Sequence, residues 1–385
     1  MMASRFLWLR LHRWLALSLG WVLILAGLTG ASLIVAKPLD RWANAELFIA
    51  SGTTKAAGAP PSLAQIAERL HDEFGKQASL SFRFPRSSDE TLWVTLRGRW
   101  HGTVYLHPQT GQEQGRRGEA QGAFNFLFKL HSSLLLDSTG KALLAWVAMA
   151  YLVLLITGVM LWWPKRWPPQ WHIEWRKSTL RALFDLHRIG GVVLSLFIAV
   201  SVATGAYMAW RPLAAYITMV SGDKPVKPPQ LPKDSLSSAG APTPDTMLQT
   251  ARAFFPGAQP TFMQLSAKPD RPVRIRFLAD KDPHPNGISS VWIDPRDGKV
   301  LAVQPWHQLD TGSRAVVVIF PLHTGELGGP LLEAVMLVSG LALGGLGMTG
   351  VWLWWLRRRA KTQAHRMQTR NKRRTAEVGL GDEFV

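Results

Sequence analysis

Apolar residues are gathered in four long blocks along the chain. These blocks cover residues 14–36, 142–163, 189–210 and 331–356. Each holds about 20 apolar residues, which at about 1.5 Å of rise per residue lets one helix cross a hydrocarbon core of about 30 Å. The pattern therefore predicts four transmembrane helices.

The first block is longer than the apolar core of a signal peptide, and Lys37 and Pro38 follow it without a small-residue cleavage motif, so we expect an uncleaved anchor.

Two polar regions between the blocks show shorter periods. In residues 62–74 apolar positions recur at helical spacing, and residues 245–255 look like a counterpart. Segments of alternating polarity, which predict strands, follow at 79–84, 91–96 and 102–106, and again at 261–265, 273–278 and 289–293. Each region is predicted to form a small α+β domain. Residues 225–244, rich in Pro, Ser and Ala, are predicted to be a linker without fixed structure.

The same motifs recur in the same order in both halves of the chain. A Leu-His-Arg motif contains His12 in the first half and His187 in the second, and a Thr-Gly pair begins 17 residues after each histidine. His131 and His323 form a second matched set, because a Thr-Gly-Val motif begins 26 residues after each. These intervals predict an internal duplication in which each half contains a span, an outer domain and a second span.

Lys and Arg are concentrated in three segments. Residues 1–13, 164–188 and 356–385 carry 3, 6 and 9 of them. By the positive-inside rule these segments face the cytoplasm, so both termini are inside and the two polar domains face the other side of the membrane. The formal net charge of +18 mainly reflects this topology. We expect the basic tail to contact anionic lipid, and no nucleic acid is expected as a partner because no recognition motif accompanies the charge.

These patterns define the predicted fold class and its boundaries. The chain is expected to be a membrane protein, an α-helical bundle of four transmembrane helices plus two small α+β domains. The predicted segments are the cytoplasmic tail and first span (1–36), the first outer domain (37–126), a histidine segment with the second span (127–163), a cytoplasmic loop (164–186), the third span (187–211), the linker with the second outer domain (212–319), a histidine segment with the fourth span (320–356) and a basic cytoplasmic tail (357–385).

Four histidines at the predicted membrane boundaries are the candidate cofactor ligands. His12 and His187 lie at the cytoplasmic ends of the first and third spans, and His131 and His323 lie just before the second and fourth, at the opposite face. Ionisable residues at membrane depth usually face a bundle interior, where they are paired or bound. The chain has no cysteine, so iron–sulfur clusters held by thiolates and haem attached through a C-x-x-C-H motif are excluded. Two bis-histidine sites for b-type haem fit best, because imidazole ligates haem iron without any cysteine.

Two further residue types are candidates for contacts with such a haem. The first and third spans each carry a glycine 18 residues after the histidine, at Gly30 and Gly205, which places it on the same helix stripe. We expect these glycines to let a flat macrocycle pass. Arg13 and Arg188, each next to its histidine, are predicted to pair with haem propionates at the inner boundary.

Other interpretations of the same residues stay open. An interfacial His-Arg pair commonly anchors lipid headgroups. Zinc is a second candidate, although a structural zinc usually needs four ligands and no carboxylate recurs beside these histidines. The Thr-Gly pairs can also serve only as small-residue contacts between helices.

The joint order of these motifs resembles the PepSY-associated transmembrane proteins. The resemblance is carried by the Leu-His-Arg and Thr-Gly spans, the Phe-x-Leu-His segments, the Trp-Trp pairs followed by basic residues, and the paired outer domains, and it covers residues 8–358. Within that family the chain is most similar to the FoxB-type ferric-siderophore reductases of the bacterial inner membrane. The resemblance implies PepSY-like domains in the periplasm and two b-type haems in the four-helix bundle.

The same resemblance implies a set of ligands and an activity. His12 with His187 would hold the inner haem and His131 with His323 the outer haem, although other pairings stay open. The implied activity is that of an oxidoreductase, which reduces a periplasmic ferric siderophore and releases ferrous iron for uptake. The electron donor, a quinol or a cytoplasmic reductase, is not indicated. No G-x-G-x-x-G segment joins a strand to a helix, so nicotinamide is not expected to bind directly.

Two other classes of function are compatible with the sequence. A siderophore or metal permease could also use a duplicated bundle, and it would need discontinuous helices and polar residues at mid-membrane. A non-enzymatic PepSY-type sensor or protease-regulating anchor would need no cofactor at the four histidines.

Overall fold

The computed structural model describes residues 2–50, 60–164, 167–210, 212–231, 240–268 and 270–381. The chain forms two compact units. The first contains Met1–Leu28, Trp146–Ala203 and Val338–Val385, and the second contains Thr29–Ala145 and Thr204–Leu337. Each unit therefore combines segments that are far apart in the sequence.

Three described helices are long and apolar enough to cross a membrane. They are α1 (Met2–Ala43), α5 (Asp137–Trp162) and α11 (Gly329–Gly381). Large apolar side chains on α5, such as Trp146 and Ile156, point outward and are exposed, which is expected for a helix that contacts lipid. The long apolar blocks of the sequence thus form helices of membrane-spanning length.

The predicted third span is not one straight helix. It is a pair of helices, α6 (Thr179–Val193) and α7 (Ser195–Ala209), which are bent by 64° at the break between them. The Ser195 hydroxyl donates to the carbonyl of Val192 at 2.8 Å, and two glycines, Gly190 and Gly191, precede the break. Such side-chain bonds to the preceding turn and flexible glycines bend helices. The described residues therefore contain four spans only if the bent pair counts as one.

Glycines allow close packing between α1 and α11 within the first unit. A Cβ at Gly27 would lie 2.7 Å from the carbonyl oxygen of Gly340, and one at Gly347 would lie 2.4 Å from the Ile24 side chain. A larger residue at either position would force the helices apart. Small residues at such contacts are typical of helix pairs in membranes, where close approach replaces the hydrophobic effect as the source of stability.

The second unit contains one antiparallel sheet of eight strands. The strands are β1 (Ser79–Arg83), β2 (Leu92–Arg97), β3 (His101–Leu106), β4 (Glu113–Gly118), β5 (Gln259–Leu265), β6 (Val273–Leu278), β7 (Ser289–Ile293) and β8 (Val300–Gln304). Their order in the sheet is β4-β3-β2-β1-β5-β6-β7-β8. Two helices, α3 (Leu63–Phe74) and α9 (Pro244–Arg252), pack against it through a core that includes Leu70, Phe82, Met263 and Phe277.

The single sheet differs from the two separate α+β domains that the sequence predicts for residues 37–126 and 212–319. Strand β1 pairs with β5, with Phe82 opposite Met263, so the two groups of strands share one sheet and one core. The two helices are also joined, since the Asp245 carboxylate accepts hydrogen bonds from the backbone N–H groups of Leu63 and Ala64 at 2.8 and 3.0 Å. Strands β4 and β8 were not predicted, because neither shows strict alternation of polar and apolar residues.

Short helices connect the long helices to the sheet. They are α2 (Ala45–Phe48), α4 (Ala123–Ser133), α8 (Pro212–Val220) and α10 (Thr311–Thr324). Helix α4 ends at Ser133, and the Leu134 that follows it has a left-handed φ of 52°, so His131 lies on a helix separate from α5. Of the predicted linker, residues 225–231 and 240–243 contain no helix or strand, and residues 232–239 lie outside the described residues.

Candidate functional site

The first histidine pair consists of His12 on α1 and His187 on α6. Their ring centroids lie 6.4 Å apart and their planes are nearly perpendicular, at 85°. Helix α6 begins after Ser178, whose hydroxyl accepts a hydrogen bond from the backbone N–H of Arg181 at 3.2 Å. This cap fixes the start of the helix and places His187 in its third turn. All residues of this pair belong to the first unit.

Each ring of the first pair is held by a threonine on another helix. Nδ1 of His12 lies 2.9 Å from Oγ1 of Thr157, and Nδ1 of His187 lies 3.0 Å from Oγ1 of Thr349. The Thr157 hydroxyl donates to the carbonyl of Leu154 at 2.7 Å, and the Thr349 hydroxyl likewise donates to carbonyls one turn earlier. Because a hydroxyl has one proton, each threonine oxygen accepts from Nδ1–H. The neutral ring then carries no proton on Nε2, which is the form that binds a metal.

A glycine follows each of these threonines and leaves room for the imidazole edge. A Cβ at Gly158 would lie 3.3 Å from Cε1 of His12, and a Cβ at Gly350 would lie 3.4 Å from Cε1 of His187. The first distance is tight for carbon atoms in a packed interior, and the second is at the lower limit of ordinary contact. The Thr-Gly dipeptide thus provides a hydrogen-bond acceptor and space for the same ring.

The second histidine pair consists of His131 on α4 and His323 on α10. Their ring centroids lie 6.1 Å apart and the planes are inclined by 27°. Nδ1 of His131 lies 3.3 Å from Oγ1 of Thr29, and Nδ1 of His323 lies 2.9 Å from Oγ1 of Thr204. The second pair, which lies entirely in the second unit, therefore repeats the histidine–threonine contact of the first.

The two glycines predicted to admit a macrocycle lie against the rings of the second pair. A Cβ at Gly30 would lie 2.8 Å from Cε1 of His131, and a Cβ at Gly205 would lie 3.2 Å from Cε1 of His323. Their small size therefore makes room for imidazole. Packing of these glycines against a macrocycle stays a prediction.

The family of the chain follows from a comparison of its sequence. The family model described as the PepSY-associated TM region matches residues 9–357, which is nearly the whole chain. The chain belongs to this family. No curated protein shows significant similarity to it. The predicted resemblance to PepSY-associated membrane proteins is confirmed at the level of the family.

Arg13 and Arg188 of this PepSY-associated protein are predicted to contact haem propionates. Their surroundings in the structure differ. Arg188 lies 3.3 Å from the carboxylate of the fully buried Asp185 and donates to the carbonyl of Gln170 at 2.9 Å. Its Nε is buried and has no hydrogen-bond partner among the described residues, so this donor can still serve an anionic group. Arg13 is exposed. Nothing in its surroundings assigns it a role, and its contact with a propionate stays a prediction.

Both histidine pairs have a spacing that fits one haem iron each. Imidazole nitrogen binds a metal ion at about 2 Å, so two rings whose centroids lie about 6 Å apart could bind the same ion. The observed 6.4 and 6.1 Å agree with this value.

In the described part of the chain no three His, Asp or Glu side chains are placed together to hold a metal ion. Two protein ligands suit haem, whose porphyrin supplies four more, better than a structural zinc, which needs four from the protein.

Sequence reasoning missed the threonines and two of the glycines of these sites. The signal was present, because Thr-Gly occurs at Thr29, Thr157, Thr204 and Thr349, once in each predicted span. The sequence alone explains these dipeptides equally well as small-residue contacts between helices, because it does not show which helix faces which. The hydrogen bonds to Nδ1 give them a different role.

Proposed function

We propose that this PepSY-associated membrane protein transfers electrons through two b-type haems and reduces a ferric siderophore. The observation that carries the proposal is the pair of His–His spacings, 6.4 and 6.1 Å, with every Nδ1 bonded to a threonine. Bound haem supplies one-electron chemistry. The residues of the chain hold the imidazoles in the tautomer that ligates iron and fix their orientation.

The proposal includes a membrane topology, together with the internal duplication that the repeated motifs predict. We place both termini in the cytoplasm of a bacterial cell, because the basic segments 1–13, 164–188 and 356–385 lie on that side by the positive-inside rule. The eight-stranded sheet then lies in the periplasm, next to the second histidine pair.

Ferric iron in an all-oxygen chelate is a hard cation, and one added electron makes it a softer, more labile ion that dissociates. The electron donor is a membrane quinol or a cytoplasmic reductase.

The first test is the absorption spectrum of the purified full-length protein from haem-replete cells. We expect a Soret band and a reduced-minus-oxidised α band that correspond to two haems per chain. His12→Ala and His187→Ala should each remove one haem, and His131→Ala and His323→Ala the other. His101→Ala is the matched control, because His101 is exposed on β3 and should leave both haems in place. A colourless preparation, or equal loss in the control, would contradict the proposal.

The second test concerns the substrate. The dithionite-reduced protein, freed of excess dithionite, is mixed with a ferric siderophore, and haem oxidation is followed together with capture of ferrous iron by a chromogenic chelator. We expect the two signals to rise together, with one ferrous ion for each electron lost. Haem oxidation without ferrous iron would show that the protein transfers electrons to a different acceptor.

One structural feature favours a second candidate, a siderophore or metal permease. The 64° bend between α6 and α7 is a discontinuous span of the kind that transporters use at their binding sites. Ser195, the first residue of α7 after the break, already uses its hydroxyl to donate to the carbonyl of Val192. Uptake of a labelled chelate into protein-containing vesicles, unchanged in the four histidine variants, would favour the permease over the reductase.

A further inference from the structure

One face of the eight-stranded sheet packs against α3 and α9, and the opposite face carries three arginines. Strand pairing places Trp93, Arg83, Phe262 and Arg276 side by side in one row across β2, β1, β5 and β6. Arg274 lies two residues from Arg276 on β6, and therefore on the same face. We call Arg83, Arg274 and Arg276 the arginine face. It joins residues from both groups of strands because β1 pairs with β5.

Each guanidinium of the arginine face rests over an aromatic ring. The carbon–centroid distances are 3.9 Å for Arg83 over Trp93, 4.9 Å for Arg274 over Trp292 and 5.1 Å for Arg276 over Phe262. These contacts hold the planar groups in fixed positions through cation–π attraction. The three side chains are neither fully buried nor fully exposed. They form a rigid cationic surface on a strand scaffold.

Among the described residues, no carboxylate lies within ion-pair distance of the three guanidinium groups of the arginine face. The Nε of Arg274 donates to Oγ of Ser290 at 3.0 Å, and the Nε of Arg276 donates to the carbonyl of Gly287 at 2.9 Å, and both acceptors are neutral. Burial lowers the pKa of each of the three guanidinium groups to about 10, so they stay charged at neutral pH. Glu90 and Asp282 act on Arg83 and Arg276 only from beyond ion-pair distance. Partly buried cations without a directly paired carboxylate are unfavourable, and an anionic ligand would compensate them.

The arginine face is linked to the helix that carries one histidine of the second pair. Arg276 bonds to Gly287, and the same loop contains His284, whose ring stacks on Phe320 at a centroid distance of 4.7 Å. Phe320 lies on α10, one turn before His323. A ligand on the arginine face therefore lies on the side of the sheet that contacts this helix.

We infer that the arginine face binds a ferric chelate of net negative charge, whose catecholate or carboxylate oxygens bond to Arg83, Arg274 and Arg276. The inference rests on the proposed function, since it names the substrate class of the same reductase. Guanidinium groups bind paired oxygens through two parallel N–H bonds, and they bind anions through charge. The surface therefore selects anionic chelates over neutral or cationic trihydroxamates.

The test uses gallium(III) chelates, because gallium(III) resembles ferric iron in its complexes but does not accept the electron. Isothermal titration of the full-length protein in detergent compares the gallium complex of a hexadentate tris-catecholate, a trianion, with that of desferrioxamine B, a cation. We expect the trianion to bind more tightly. Arg83→Gln and Arg276→Gln should each weaken its binding by about tenfold, as loss of a hydrogen bond to a charged group does.

Two control variants separate this site from general charge effects. Arg252→Gln removes an exposed arginine of α9, which packs on the other face of the sheet, and should leave the affinity unchanged. Arg276→Lys keeps the charge and should retain binding better than Arg276→Gln. Circular dichroism and the melting temperature verify that each variant is folded.

The outcomes distinguish the inference from the proposed function. Equal affinity in folded Arg83→Gln and Arg276→Gln variants, the same loss in Arg252→Gln, or tighter binding of the cationic complex would overturn the inference. If the gallium trianion binds as expected but the haem spectrum or ferric reduction is missing, the binding site stands and the reductase proposal fails. If ferric chelates are reduced although no variant changes binding, the reductase stands and this site is wrong.

Discussion

Nδ1 of His12 lies 2.9 Å from Oγ1 of Thr157, although 145 residues separate the two in the chain. The same contact joins the other three histidines to threonines on other helices: His131 to Thr29, His187 to Thr349 and His323 to Thr204. Each histidine thus takes its orientation from a helix other than its own. Such hydrogen bonds set the tautomer and the basicity of a metal-binding imidazole.

Replacing Thr157 with valine tests this relationship at the first pair. Thr157→Val keeps the shape of the side chain but removes the acceptor for Nδ1–H of His12. We expect the affinity for one haem to fall about 10- to 100-fold, and the midpoint potential of that haem to rise because its ligand becomes less basic. Haem titration of the apoprotein and a redox titration measure both effects. Thr157→Ser keeps the hydroxyl and should resemble the wild type, so equal behaviour of the two variants would argue against an orienting role.

Replacing Gly30 with alanine tests the space beside His131. The new Cβ would lie 2.8 Å from Cε1 of His131, closer than carbon atoms pack, so the ring must move away from Thr29. We expect loss of the haem held by the second pair, seen as half of the wild-type absorbance per chain. Gly20→Ala in the same helix is the control, because no atom lies within 4 Å of its Cβ position. Equal haem content in both variants would show that the ring has room to move.

The ion pair between Arg117 and Asp40 should be important for stability. Both side chains are nearly buried, at 8% and 11% exposed, and their closest N–O distance is 2.8 Å. Asp40→Asn leaves the Arg117 charge buried without a counter-ion, which typically costs about 3–5 kcal/mol of unfolding free energy. Thermal unfolding in detergent should show a clear decrease in melting temperature.

The control for this prediction is an exposed pair in the same unit. Glu73 pairs with Arg116, and their side chains are 44% and 39% exposed. Glu73→Gln should change the unfolding free energy by less than about 1 kcal/mol, because solvent screens exposed pairs. A melting temperature for Asp40→Asn that equals that of Glu73→Gln would contradict the prediction.

His284 should make the stability of the second unit depend on pH. Burial, together with the charges of Arg276 and Arg86, lowers the pKa of His284 from 6.5 to about 4. Below about pH 6.5 the unfolded chain binds a proton at this residue and the folded chain does not, so stability is lost as the pH falls towards 4. His284→Gln should therefore narrow the difference between the melting temperatures at about pH 7.5 and about pH 5.

The exposed His101 provides the comparison for the pH experiment. His101→Gln should leave the difference between the two melting temperatures as in the wild type, because the His101 side chain is exposed on β3 and packs into no part of the core. A His284→Gln variant that retains the full wild-type difference would assign the pH dependence to other groups.

Residue patterns predicted the local elements and the candidate ligands, but not the partners of those ligands. Helix α3 and strands such as β2 follow directly from periods of 3.6 and 2 residues, which depend on neighbours in the chain. The bend at Leu194 was missed, because the apolar run over residues 189–210 is continuous and hides the weak signal of Gly190, Gly191 and Ser195. The joining of β1 to β5 was missed because strand pairing depends on contacts between residues far apart in the sequence, as between Phe82 and Met263.

The sequence by itself determined the membrane class, the positions of the apolar segments and the four candidate histidines, because hydrophobicity, charge and the chemistry of imidazole are properties of residues in order along the chain. The tertiary structure decided that the His12 and His187 rings lie 6.4 Å apart, that a threonine of another helix holds each ring, and that two groups of strands form one sheet. These relationships join residues that are distant in the chain. They depend on how whole helices and strands pack, because a side chain meets a distant partner only after the elements that carry both have taken their positions.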